Sequence, residues 1–145
     1  MKILICGLPG SGKTTLAREL AYHFCLPHYN ADVMREFYDD WDFSEHGRMI
    51  QALRMGRVPH GIMDFVAPRQ QFRDMAKADY TIWMNTIEEG RYEDTNKIFR
   101  MPTKVDIEVK EWIDLDQLRN SLEDFSRGIK GIQNYLNEQF PKLVK

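Results

Sequence analysis

A doubly wound α/β fold, with a mostly parallel five-stranded sheet and helices on both faces, is predicted by three observations. An apolar run, Ile3-Leu4-Ile5-Cys6, feeds a glycine-rich turn at Gly7, Gly10 and Gly12, and helical periodicity follows at Leu16, Ala17, Leu20, Ala21 and Phe24. Further strand-like runs near residues 62, 82 and 107 alternate with helix-like stretches. Strands alternating with helices imply right-handed crossovers, which place helices on either side of one sheet. At 145 residues the chain is expected to form a single domain with one core.

The elements follow in order. After the strand at 3–6 and the helix at 14–24, Pro27-His28-Tyr29-Asn30 reads as a short extended segment leading into a strand-to-helix junction at Ala31-Asp32-Val33-Met34-Arg35. Ser44 to Met55 has apolar residues at 49, 50, 52, 53 and 55 between Arg48, Gln51 and Arg54, predicting a helix that exposes a basic face. Gly61 to Pro68 predicts a buried strand ending at proline, Arg69 to Ala76 a helix, and Asp79 to Asn85 another strand. The stretch 88–102 is polar, carries Arg91, Lys97 and Arg100, and reads as a mobile loop or lid. Val105 to Val109 alternates as a half-exposed final strand, and 117–140 as a C-terminal helical region interrupted near Gly128 and Gly131.

Composition narrows the function classes. Net charge is −2 with both signs interspersed, which argues against a polybasic nucleic-acid coat or a membrane-surface patch. No stretch approaches membrane-spanning length and no charged leader precedes the first strand, so a cytoplasmic location is expected. Cys6 and Cys25 show no metal-ligand spacing and are expected to be buried, reduced thiols, and the four histidines show no zinc pattern.

Gly7-Leu8-Pro9-Gly10-Ser11-Gly12-Lys13-Thr14 fills every fixed position of the phosphate-binding P-loop, with the strand and helix that motif requires. Glycines let backbone N–H groups converge on a β-phosphate with no Cβ in the way. Lys13 would reach the β- and γ-phosphates, Thr14 would place its hydroxyl on Mg²⁺, and Thr15 follows inside the anion-binding helix N-terminus. ATP and Mg²⁺ are therefore the expected cofactors.

With these residues in view, the chain from Met1 to about Val109 resembles the adenylylsulfate kinase family, and more closely its short phage-type relatives. GLPGSGKTTLA is similar to that family's P-loop, and Asn30-Ala31-Asp32-Val33-Met34-Arg35 stands where the family has Asp-Gly-Asp-x-x-Arg. Phe43-Ser44-Glu45 with Arg48, Gln51 and Arg54 resembles its Phe-Ser-acid segment and following helix, and Val66-Ala67-Pro68 with Arg73 and Asp74 resembles its Ile-Ser-Pro segment. Lys97-Ile98-Phe99 resembles the lid's Lys-x-Phe, whose ring covers one face of the acceptor adenine while Phe43 would cover the other. The chain departs from the pattern at Asn30, where the family has aspartate, and at Gln51, where it has asparagine. The lid is also much reduced. Some phage relatives phosphorylate hydroxymethyluracil within DNA, and a trimmed lid suits such a polymer.

The resemblance implies an ATP-dependent kinase acting on a hydroxyl of a nucleotide-like acceptor, adenylylsulfate first and modified DNA as the alternative. A non-catalytic nucleotide switch is the second alternative. Asp32 would accept the acceptor's proton, or alternatively cap the helix starting at Val33. Arg35, Arg48 and Arg73 would grip acceptor phosphate or sulfate, or stand as solvated charge. Asp64 would hold Mg²⁺ through water with Thr14, or take a buried hydrogen-bonding role. A cationic row at Arg54, Arg57 and Arg69 would favour DNA.

Overall fold

The computed structural model describes residues 1–111, so the helical region expected over 117–140 lies outside the described residues. Strand β1 (Lys2–Cys6) leads through the glycine turn into helix α1 (Lys13–Phe24), then β2 (His28–Asn30), α2 (Ala31–Tyr38) and α3 (Glu45–Gly56). There follow β3 (Gly61–Asp64), α4 (Gln70–Met75), β4 (Tyr80–Met84), α5 (Glu93–Ile98) and β5 (Ile107–Val109). The five strands form one sheet in the order β2-β3-β1-β4-β5, and every pairing is parallel. The predicted fold class is the observed one.

The central strand explains its own sequence. All five residues of β1 are buried, as expected where helices cover both faces of a parallel sheet, and a continuous apolar run satisfies that environment. Lys2 is buried with them and lays its stem along the apolar surface. Its ammonium donates to the carbonyls of Gly56 (2.8 Å) and Met55 (3.4 Å), the negative end of α3. Pairing Ile5 with Asp64 and Cys6 with Trp83 sets the carboxyl end of β1 between those of β3 and β4. Ligands of open α/β sheets bind at such ends.

Caps fix where α2 and α3 begin. The Asn30 side chain accepts from the backbone N–H groups of Asp32 and Val33, so Asn30, not Asp32, caps α2. The Ser44 hydroxyl accepts from Gly47 N at 3.2 Å and starts α3 one residue after the predicted boundary.

Helix α3 corrects its predicted orientation. Arg48 and Gln51 are buried beside Ala52 and Met55, whereas Met49 and Leu53 are exposed. The polar line of the helix turns inward because it finds partners there. Arg48 Nε donates to Phe43 O at 2.9 Å, and Gln51 Nε2 to Ala31 O at 2.9 Å. The strand expected over 61–68 stops at Asp64, and the stretch expected to be a loop at 88–102 contains α5.

The thiols divide. Cys6 is buried as expected, but Cys25 is exposed because it ends α1 in the left-handed region (φ 54°). Burial pushes the Cys6 thiol up to about 11, opposed by Arg73 and Lys13. A thiol reagent should therefore label Cys25 in the native protein and reach Cys6 only on unfolding. A thiol whose folded value lies above its unfolded one contributes stability that is whole below about pH 9 and falls as pH rises through about 11. Chemical denaturation across that range should show the loss, and Cys6→Ala should flatten it.

Candidate active site

The turn after β1 is built for an anion. Gly7, Gly10 and Gly12 take positive φ values of 148, 86 and 99°, and a Cβ on Gly7 would stand 2.7 Å from Met84 O. Ser11 is wholly buried and its Oγ has no hydrogen-bond partner among the described residues. Lys13, nearly buried, donates from Nζ to Leu8 O at 2.9 Å. Burial lowers its pKa, Asp64 and Asp32 oppose that, and Arg91 adds to it. Leu8 and Pro9 complete the turn, and Thr15 is exposed on the first turn of α1. An unpartnered buried hydroxyl, positive-φ glycines and a buried ammonium fit a nucleotide's phosphates.

Beside the turn sits a carboxylate hub. Asp64, 2% exposed, accepts from Thr14 Oγ1 (3.3 Å) and from Asn30 Nδ2 (3.1 and 3.2 Å to its two oxygens), and it touches His28 Nε2. Asn30 Nδ2 also reaches Thr14 Oγ1 at 3.3 Å. A hydroxyl and a carboxylate are the hard oxygen donors Mg²⁺ favours, and the partners already on Asp64 suit it to hold the ion through water. Among the described residues no group of three or more His, Cys, Asp or Glu is placed to hold a metal. His28 was not singled out from the sequence, because a lone histidine in a three-residue strand carries no spacing signal.

A second group of charges lies on α2, α3 and the loop between them. Arg35 (4% exposed) donates from Nη1 to Asp40 O and Asp42 O at 3.1 and 3.0 Å. Arg48 (9% exposed) donates to Phe43 O and, through Nη2, to Thr95 Oγ1 at 3.3 Å. Both guanidinium carbons lie near the half-exposed Phe43 ring, 4.3 and 5.4 Å from its centroid. Burial lowers both arginine pKa values, and Arg35 lowers that of Arg48 further by like charge. Among the described residues neither has a carboxylate within ion-pair distance. Phe43 and Arg48 line a cavity of about 290 Å³ with Glu45, Arg69, Asp94 and Ile98. Asp32 stands exposed in the first turn of α2, and its charge bears on both Lys13 and Arg35.

Other expected acceptor residues are placed elsewhere. Phe99 does not line the cavity; it packs against the core cluster with the Arg73 guanidinium 5.2 Å from its ring centroid. The chain there is pinned, because Arg69 donates to Ile98 O, Arg73 to Arg100 O, and Arg100 N to Pro68 O. Arg73 is thus buried against the segment 98–100, and Phe99 does not join Phe43 at the cavity. Lys97 is exposed and pairs with Glu93 at 3.6 Å along α5. Gln51 joins α3 to the start of α2, and Arg54 pairs with Asp40 at 2.7 Å.

A P-loop at the end of the middle strand of an all-parallel β2-β3-β1-β4-β5 sheet defines the P-loop NTPase fold. The AAA domain family model matches residues 3–132, and the chain belongs to that family. No curated protein sequence matches it. Among solved structures it is similar to the APS kinase of Mycobacterium tuberculosis in complex with AMPPNP and APS, with a TM-score of 0.68, 15% identity, and coverage of 87% of this chain and 96% of that one. It is also similar to a gluconokinase from Sinorhizobium meliloti, with a TM-score of 0.65, 14% identity, and coverage of 92% and 96%. A shikimate kinase from Aquifex aeolicus gives a TM-score of 0.60, 16% identity, and coverage of 92% and 98%. At these identities the likeness is one of fold.

The hub yields a test. Asn30→Asp would replace the amide donor with a second carboxylate beside Asp64, and two such groups cannot both ionise cheaply. The variant should melt below the parent at pH 8, and the gap should narrow towards pH 5 as one carboxyl takes a proton. Equal melting of the two proteins at pH 8 would show that Asn30 matters only as the cap of α2, a role an aspartate keeps.

Proposed function

We propose that this protein is an ATP-dependent kinase that passes the γ-phosphate to a hydroxyl of a nucleotide-like, anionic acceptor of the adenylylsulfate kind. The observation that carries the reading is the pair Arg35 and Arg48, buried beside Phe43 with no carboxylate partner among the described residues. A buried cation with no direct ion-pair partner is costly, and here Asp40, Asp32 and Asp42 offset only from a distance the charge of Arg35, and Asp94 that of Arg48. A phosphate or sulfate offers both planar guanidiniums pairs of oxygens for bidentate contact, while the Phe43 ring offers a base one face to stack on. That the solved relatives of this fold include kinases of small molecules supports the reaction class.

In this scheme the P-loop amides and Lys13 hold the donor phosphates and neutralise charge that builds on the leaving oxygen. Thr14 and, through water, Asp64 would hold Mg²⁺, which would add to that neutralisation. Asp32 orients the acceptor hydroxyl and takes its proton. Asn30 keeps Asp32 in place by capping the turn that carries it. Arg73, Lys97 and Phe99 support the lid rather than grip the acceptor.

The DNA alternative draws less support, since Arg54 is paired with Asp40 and Arg69 is bound to the lid carbonyl, which leaves no free cationic row with Arg57. A nucleotide switch leaves Asp32 and the buried arginines without a task.

Acceptor-dependent ADP release tests the proposal. Lys13→Ala should abolish it while the melting temperature holds, and Asp32→Asn should lower kcat by on the order of 10²–10⁴ with ATP binding kept. Unchanged turnover in either variant would contradict the assignment. Arg48→Met should raise the acceptor KM by more than about tenfold yet leave stability equal or higher, because an apolar side chain often replaces a buried charge without loss.

A further inference from the structure

The expected lid contains a clamp that neither the sequence pattern nor the donor and acceptor assignments use. Gly90 N donates to Asn96 Oδ1 at 2.8 Å, and Asn96 Nδ2 donates back to Gly90 O at 3.1 Å, so one side chain on α5 holds both polar groups of the Gly90 residue. Gly90 is seated on the phosphate loop, where a Cβ would stand 3.0 Å from Pro9 O and 3.1 Å from Pro9 Cδ. Nearby, Thr86 Oγ1 donates to Ser11 O at 2.7 Å, a second tie between this segment and the loop. The next residue, Arg91, thereby lies over the loop, with its Nε and Nη2 3.8 and 4.0 Å from where a Cβ on Gly10 would be. Its charge reaches Lys13, whose pKa it lowers. Among the described residues no hydrogen bond or ion pair holds the Arg91 guanidinium.

We propose that Asn96 is a positioning residue that, by clamping Gly90 onto the phosphate loop, aims Arg91 at the terminal phosphate of the donor. The inference rests on the donor half of the proposed function. A guanidinium left without a protein partner above a loop that cradles phosphates gains most from the group carrying most charge, so Arg91 should tell a triphosphate from a diphosphate. Asn96 has no direct reach to the nucleotide in this scheme and acts through Arg91. The adjacent Thr95 accepts from Arg48, so the helix that sets the donor-side arginine also touches the acceptor-side one.

Calorimetric titration of the full chain with AMPPNP and with ADP, each with Mg²⁺, tests the assignment. The parent should prefer AMPPNP. Arg91→Ala should weaken AMPPNP by about tenfold, the size of one charge-assisted hydrogen bond, with ADP changed far less. Asn96→Ala should lose a like share of the preference, and the double variant should be no worse than Arg91→Ala alone, because the two act in series. If Asn96→Ala melts early, Asn96→Leu keeps the volume, removes both hydrogen bonds, and should give the same result. A parent that binds AMPPNP while the Asn96 variants keep its preference, or a double variant whose losses add, would overturn this inference and leave the kinase reading standing. A parent that binds neither nucleotide would overturn both.

Discussion

The site depends on the parallel register that sets β3 between β1 and β2. Asp64 faces Ile5 on one side and Asn30 on the other, so a buried carboxylate, the cap of α2 and the end of the strand that leads into the phosphate loop stand in one row. Because strand side chains alternate between faces, a slip of one residue would turn Asp64 away from Thr14 and Asn30 together. Its hydrogen bonds tie the ends of α1, β2 and β3 to one another, and those ends carry the phosphate loop, Asp32 and the first residues of the arginine cluster. A buried carboxylate is tolerable because Thr14, Asn30 and His28 all meet it.

Charge placement explains a substitution that the resemblance alone left without a reason. The pattern of the adenylylsulfate kinases has aspartate where this chain has Asn30, and this chain has Asp64 where that pattern often has serine. Asn30 can donate to Asp64 while its carbonyl oxygen caps α2, and an aspartate could do only the second. The cationic side follows the opposite logic: Arg35 and Arg48 are held by backbone carbonyls, which fix their planes without cancelling their charge. Asp32, Asp40, Asp42 and Asp94 offset that charge only from beyond ion-pair distance.

Much of this was legible in the sequence, for reasons of range. The glycine loop, the apolar run Ile3-Leu4-Ile5-Cys6 of β1 and the Ser44 start of α3 are set by neighbours within a few residues, and local chemistry announces them. The inward face of α3 was not legible, because Arg48 and Gln51 are satisfied by Phe43, Thr95 and Ala31, partners that only the fold brings near. Cys25 was misplaced because a left-handed helix end puts a normally buried residue type at the surface. Phe99 sits in a polar stretch, yet Arg69, Arg73 and Pro68 from the other side of the chain pin it against the core. The helix α5, six residues long, is too short to show periodicity.

The central claim is that the phosphate loop and the buried arginines form two halves of one phosphoryl-transfer site. Incubation with [γ-³²P]ATP and Mg²⁺ against adenylylsulfate, free nucleosides and hydroxymethyluracil-containing DNA measures it most directly. The account predicts label on the anionic nucleotide, absent with the Lys13→Ala protein and weak on nucleosides that lack a phosphate or sulfate for Arg35 and Arg48. Label confined to inorganic phosphate, or carried equally by nucleosides with no anionic group, would contradict it.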